Sequence, residues 1–586
     1  MSLRPPIGSE ALAQEVQRLN DEYQALANRM IANRSRINTL APISYLANEL
    51  LVHVFSFLTP SRSSDIQHFN LSLRSEVSRT RQAWLNWIHV THVCGHWRHI
   101  ALEDPSLWTV VYCGLGSEWM NLMLSRSKAL PIDVSFEYKH RVYEPGSDLN
   151  FNLSRILRIA EHQTHTRILK VRAQLAGPNF NFRWMLARFN GVLPILETLE
   201  LHGDSRYEAI EVVRMPEGHF HSMPTLKELV LYNIIPSWMP QALPSLSNLV
   251  KFDFTLPDVR DHGTFLDSEF LPARHQLSRS QLLPNMPQLL DILETMPLLE
   301  SLSFRDTLPT ISVDPLIQQT RVVSLPRLSF LSLSGPIRDC TSFAKCLDFS
   351  PTTYICLDDD NPDENEDDED YPPIGHILER HLARQNSVSR KIDQVEFIIM
   401  GGFLTLRISA VSQRIFNVDV LFLHTEAGLD FLGRAFAAMP ICANASFRLR
   451  FEWATGNMIS PDAFESVFNQ PSLAAILTVE INGDTLHPLC PALTNAFVRD
   501  PEYDPPPSLR AFNVFPGLQT VIFNNLNFQK MQQSQMVELR DEIINAIRTR
   551  ERRGQPLKHV LFRYPTFVPL EWMQSIKVLF PDIIRW

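Results

Sequence analysis

One phrase, Pro-x-Leu-x-x-Leu-x-Leu, constrains the fold more than anything else in the chain. It stands at Pro194–Leu201, Pro224–Leu231, Pro297–Phe304, Pro326–Leu333 and Pro516–Phe523, with weaker copies from Pro244, Pro471 and Pro556. Leu169-Lys170-Val171 begins the series. Proline cannot continue a hydrogen-bonded ladder, so it punctuates, and the alternating Leu-x-Leu that follows sends apolar side chains to one face of a short strand. Residues between them, such as Glu200 and Val230, then lie on the opposite face. Pro194 to Pro224 spans 30 residues and Pro297 to Pro326 spans 29. A period of that length suits a leucine-rich solenoid, in which each unit supplies one strand and one helical return. Intervals of 20 (Pro224 to Pro244) and 53 (Pro244 to Pro297) make the solenoid irregular. The concave sheet of such a solenoid is an extended surface suited to binding a protein, with no individual contact residue marked by the sequence.

The abundance of proline (41) over glycine (20) is therefore periodic punctuation and not low complexity. The net charge of −10 is equally local. Ten acidic residues crowd between Asp358 and Asp370, and the rest of the chain is balanced, which argues against a nucleic-acid-binding surface. The run itself, with Tyr371-Pro372-Pro373 after it, is expected to form a solvated, disordered loop over 356–379. No apolar stretch is long enough to span a membrane, and Met1–Glu10 lacks the apolar core of a secretory signal. Seven scattered cysteines without a Cys-x-x-Cys pair fit reduced thiols in cytoplasm or nucleus, where the sequon at Asn444 would stay bare.

Before the repeats, two helical patterns stand out. Leu12, Val16, Leu19, Tyr23, Leu26 and Met30 alternate at spacings of four and three, an a/d seam with Ser9 placed to cap it. The seam either pairs two chains into a homodimer through residues 12–30 or packs on its own domain. Further on, Asn48 is placed to cap a helix on which Leu51, Val54, Phe55 and Leu58 share a face. Val93, Trp97, Ile100 and Ala101 recur at helical spacing until Pro105.

At these residues the chain resembles an F-box protein. The shared pattern is carried by Leu46, Glu49, Leu50, Leu51, Val54, Phe55 and Leu58, then Val93, Cys94, Trp97 and Arg98, then Pro105, Leu107 and Trp108. The wider run, with Leu124 to Val134 after it, is similar to fungal F-box-like proteins. Ala47 stands where the family places proline, and the connection from Thr59 to His92 is long and polar. The resemblance implies docking to a Skp-type adaptor, and through it a cullin ligase, by Leu46, Leu50, Leu51, Val54, Phe55, Leu58, Val93 and Trp97.

His89, His92, His96 and His99 also fall at helical spacing, but no carboxylate or second cysteine nearby completes a tetrahedral shell, so they read as a polar helix face. No phosphate loop, Gly-x-Ser-x-Gly elbow or His-Glu-x-x-His is present, and Gly401-Gly402 reads as a strand-end turn. No catalytic residue, metal or cofactor is expected. The expected fold is α/β: an amphipathic helix over 1–40, an F-box-like helical module over 41–110, and an irregular leucine-rich solenoid over 111–355 and 380–586, with 356–379 between. A charged helix from Gln535 to Arg553, carrying Val537, Leu539, Ile543, Ile544 and Ile547, closes the second part. The expected role is a non-catalytic substrate receptor of a ubiquitin ligase. A scaffold without ligase role, assembling through the first helix, is the alternative, and a hydrolase or transferase with a dispersed site in 380–586 stands third.

Overall fold

The computed structural model describes residues 9–59, 84–138, 149–174, 185, 188–189, 192–204, 213–215, 223–236, 244–256, 283–309, 321–358, 381, 392–400, 403–410, 413–421, 436, 441–452, 471–482, 515, 517–526, 528–530, 533–552 and 554–586. The acidic run beyond Asp358, residues 60–83 of the polar connection, Gly401-Gly402 and Cys490 lie outside them, as do the side chains of Cys442 and Asn444. The chain divides into two compact units: Met1–Tyr207 with Ser222–Leu226, and Glu208–His221 with Lys227–Trp586.

The first unit opens on helix α1 (Ser9–Thr39), which the a/d pattern predicts over its first two-thirds. A short 3-10 turn at Pro42–Tyr45 leads into α2 (Asn48–Ser56). The cap expected of Asn48 is not made. Ala47 is the extended N-cap residue, its carbonyl receives the amides of Leu50 and Leu51 at 3.0 and 3.2 Å, and Asn48 is already helical. The second half of the module is likewise two pieces and not one helix. A 3-10 segment Asn86–His92 stops, Cys94 turns extended, and α3 (Gly95–Glu103) begins. The Cys94 sulfur accepts the Trp97 amide at 3.5 Å, which closes the first turn. Pro105 ends α3 as expected, with Asp104 capping the 3-10 turn Pro105–Trp108 through the Ser106 amide at 2.9 Å.

Four parallel strands follow in sequence order: β1 (Val110–Tyr112), β2 (Ile132–Tyr138), β3 (Thr166–Gln174) and β4 (Thr198–Asp204), each paired to the next. Helices α4 (Ser117–Arg126) and α5 (Leu149–Ala160) are the crossovers after β1 and β2. Parallel neighbours need such returns to cross from the end of one strand to the start of the next.

The second unit is a large, mostly parallel sheet. It contains β5 (Val213–Arg214), β6 (Glu228–Tyr232), β7 (Ile234–Ile235), β8 (Lys251–Thr255), β9 (Ser301–Arg305), β10 (Val323–Leu325) and β11 (Phe330–Ser334). β12 (Leu347–Phe349), β13 (Tyr354–Asp358), β14 (Ile392–Met400), β15 (Phe403–Ala410) and β16 (Gln413–Leu421) come next. The chain closes with β17 (Ile441–Glu452), β18 (Thr478–Asn482), β19 (Thr520–Asn524), β20 (His559–Arg563) and β21 (Ile584–Arg585). The ladder runs β6-β8-β9-β11-β13 in parallel, then β13-β16 in parallel. There the order inverts: β16, β15 and β14 form an antiparallel meander, and β14 meets β17 in parallel before β18, β19, β20 and β21 follow in order. After β13 the chain thus skips two strand positions and doubles back, which no single repeated unit prescribes. β5 with β7, and β10 with β12, make two small parallel pairs beside the ladder.

Every copy of the phrase becomes a strand, and its three apolar positions are core. Leu196, Leu199 and Leu201, Leu299, Leu302 and Phe304, and Leu328, Leu331 and Leu333 are all buried, as are Leu518, Val521 and Phe523. At about 25 cal/mol per Å², such residues dominate the stability of the sheet. A second device repeats at the strand ends. Asn233, Asp306, Gly335 and Asn525 each directly follow a strand with positive φ. Their amides donate to the end of the next strand, at Thr255, Ser334, Asp358 and Arg563, over 2.8 to 3.0 Å. Asparagine, aspartate and glycine tolerate that conformation. At Gly335 a Cβ would also come within 3.1 Å of the Asp306 carboxylate. Helix α6 (Met286–Glu294) carries a full capping box between Asn285 and Gln288, and α7 (Ile337–Lys345) buries Phe343 against Phe304 at 5.7 Å. The charged helix expected near the end is α8 (Gln533–Arg552), with Leu539, Ile543 and Ile547 buried but Val537 exposed, followed by α9 (Leu570–Leu579).

Candidate functional site

The two apolar faces of α2 separate the eight residues singled out by sequence. Leu51 and Phe55, one turn apart, are fully buried. The Phe55 ring lies 5.1 Å from that of Trp97 on α3, and Trp97 itself is half-buried. Beneath them Trp87 meets Trp108 edge-on at 5.0 Å, the Trp108 indole donates to the Ala101 carbonyl at 2.9 Å, and the Arg126 guanidinium covers the same ring at 4.7 Å. These side chains hold the module together. The face expected to gather Leu51, Val54, Phe55 and Leu58 is narrower than its periodicity suggested, because only Leu51 and Phe55 are buried.

The other members point away from that core. Leu50, Val54 and Leu58 are 53%, 43% and 53% exposed, Leu46 is 39% and Val93 57%. Val93 is outside because the chain turns extended at Cys94 before α3 begins. Sequence reasoning missed Phe57, which is exposed beside them, although Leu50, Val54, Phe57 and Leu58 form an i, i+4, i+7, i+8 stripe. Ile43 and Tyr45 add to the same exposed set. Among the described residues nothing covers this apolar set, and covering it would gain free energy, which makes it a candidate interaction surface.

The face of the sheet opposite the apolar rows carries a second polar cluster, in which Asn417, Glu480 and Asn524 are buried while Arg407 and Arg448 remain partly exposed. In the second unit a row of side chains crosses seven strands. Asn417 on β16 donates to the Cys356 sulfur on β13 at 3.4 Å, and receives Arg407 Nε from β15 at 3.1 Å. Arg407 reaches Glu396 on β14 at 3.4 Å, and Glu396 lies in register with Arg448 on β17. Arg448 Nε donates to Glu480 on β18 at 2.8 Å, and Asn524 on β19 donates to the other oxygen of Glu480. Phe416, Leu406, Val395, Phe447 and Val479 alternate with these residues and are buried, so the row lies on the face away from the core. In the first unit Glu200 on β4 takes Lys170 Nζ at 2.9 Å and His202 Nε2 at 2.8 Å. Burial alone would raise the Glu200 carboxyl, but the His202 hydrogen bond and the Lys170 charge outweigh it and lower it to about 2. The row was invisible in sequence because its members come from strands far apart in the chain. The alternation marked each position, but not its partner.

His89 and His92 belong to one short helix and His96 and His99 to the next, all exposed, so the expected single polar stripe is broken at Val93-Cys94. Among the described residues no three His, Cys, Asp or Glu side chains are grouped to hold a metal, and no helix is long and apolar enough to cross a membrane.

A small helical docking module, with an aromatic core and an uncovered apolar stripe, is thus joined in one unit to parallel strands. Residues 45–114 match the F-box-like family model, so the chain carries an F-box-like domain. Domains of this kind generally bind Skp-type adaptors and thereby cullin complexes. No curated protein matches the chain.

Proposed function

We propose that this chain is a non-catalytic substrate-receptor subunit of a cullin-type ubiquitin ligase. The observation that carries the reading is the F-box-like domain at 45–114 with an apolar stripe facing water. Leu46, Leu50, Val54, Leu58 and Val93 make the adaptor contact, while Leu51, Phe55 and Trp97 fix the helix that presents them. The parallel ladder is read as an irregular leucine-rich solenoid, and its polar face, from Cys356 to Asn524, receives a target protein. Such a subunit performs no bond chemistry. It raises the concentration of the target's lysines beside the ligase. The five described cysteines, Cys94, Cys113, Cys340, Cys346 and Cys356, carry reduced thiols, which supports a cytoplasmic or nuclear setting.

The test is binding of the full chain to a purified Skp-type adaptor by calorimetry, beside a Leu50→Asp, Val54→Asp variant. Both positions are about half exposed in the free chain, so the variant keeps its fold and loses the adaptor. If the wild type does not bind, or the variant binds equally well, the ligase reading is wrong. The exposed seam of α1 favours a second reading, a scaffold that assembles without an adaptor.

A further inference from the structure

All six seam residues of α1, Leu12, Val16, Leu19, Tyr23, Leu26 and Met30, are between 50% and 69% exposed, and Ile37 continues the row at 67%. A helix of 31 residues, about 46 Å long at 1.5 Å per residue, holds such a stripe only if something covers it. The charges beside the stripe say what. With Val16, Tyr23, Met30 and Ile37 at a positions and Leu12, Leu19 and Leu26 at d, the g positions are Glu15, Glu22, Arg29 and Arg36. Acidic residues flank the first half of the seam and basic residues the second.

We propose that α1 pairs with α1 of a second copy in antiparallel orientation. In that arrangement g positions face g positions. Glu15 meets the partner's Arg36 and Glu22 meets the partner's Arg29, and the two-fold axis repeats both pairs. The e positions bring Ala13 to the partner's Arg34 and Asn20 to the partner's Ala27, with no repulsion. The seam layers become Leu12 with the partner's Ile37, Leu19 with the partner's Met30, and Tyr23 with the partner's Leu26. A parallel dimer would instead set Arg29 against the partner's Arg34 twice and leave Glu15 and Glu22 beside Asn20 and Ala27 of the partner subunit. One layer favours the parallel arrangement: Asn33 at a d position would meet its own copy there, and faces Val16 in the antiparallel one. It sits within two turns of the helix end, where water reaches its amide. Glu15 already holds Arg18 along its own helix, but both side chains are more than half exposed and the pair is weak. The result is an isologous dimer whose two docking modules begin about 50 Å apart along the helix axis. It does not depend on adaptor binding.

Sedimentation of the full chain without adaptor tests this. The wild type is expected at twice 67.3 kDa. Glu15→Arg with Glu22→Arg, and separately Arg29→Glu with Arg36→Glu, turn every facing pair repulsive and weaken self-association on the order of 100-fold. Mixing the two variants restores a heterodimer, which also shows that neither has simply lost α1. A monomeric wild type overturns the proposal and leaves the stripe to another partner. A tighter dimer from Arg29→Glu with Arg36→Glu shows the parallel arrangement and overturns it as well. A mixture that stays monomeric does the same.

Discussion

Phe55→Ala is the substitution that most directly weighs the two faces of α2. Phe55 is fully buried and its ring packs on Trp97 at 5.1 Å. Removing a buried phenylalanine leaves a cavity as well as losing its transfer free energy, a cost of about 3–5 kcal/mol. Leu50, five residues earlier and on the outer stripe, is 53% exposed, so Leu50→Ala forfeits about half of a leucine's burial, roughly 1 kcal/mol. With two units in the chain, a single global unfolding free energy is not the right observable. Hydrogen exchange of the α2 and α3 amides is, since it reads local opening. Phe55→Ala is expected to lower their protection by about two to three orders of magnitude, at 1.4 kcal/mol per tenfold, and Leu50→Ala by less than about tenfold. Adaptor affinity should move the other way round for Leu50→Asp, which alters the surface and not the support. Equal protection loss at Phe55 and Leu50, or none at Phe55, would refute the assignment of inner and outer faces.

Other outcomes follow from single groups. The Glu200 carboxyl is held at about 2 in the fold against 4.5 unfolded, so its contribution is complete above about pH 4.5 and is lost as pH falls toward 2. That loss is on the order of 3 kcal/mol, and acid titration of Glu200→Gln should show a shallower decline over the same window. Burial pushes the Cys113 thiol up to about 12, against a smaller opposing pull from Arg155. A maleimide at pH 8 should therefore label Cys113 only after denaturation, read by mass spectrometry. Arg448→Met removes the cation from Glu480, whose side chain is 10% exposed, and should destabilise the second unit by about 2–3 kcal/mol in denaturant melts. Adding Glu480→Gln to that variant should recover most of the loss.

The sequence alone determined what depends on neighbours along the chain. The Pro-x-Leu-x-x-Leu-x-Leu copies became strands because alternation and proline punctuation act within eight residues, and even the weak copies at Pro244, Pro471 and Pro556 lead into β8, β18 and β20. The halves of the docking module, the α1 seam and the α8 helix were legible for the same reason. Tertiary structure decided the rest. Leu50 and Leu51 are adjacent and chemically identical, and only the packing of the module makes one core and the other surface. The break at Cys94 turned an expected continuous helix into two pieces and put Val93 outside. The β14-β15-β16 reversal carries no copy of the phrase, yet it joins the two parallel runs and brings Arg407 to Asn417 and Glu396. Strand order is set by which long-range ladders can close, and no local pattern in these residues encodes that choice.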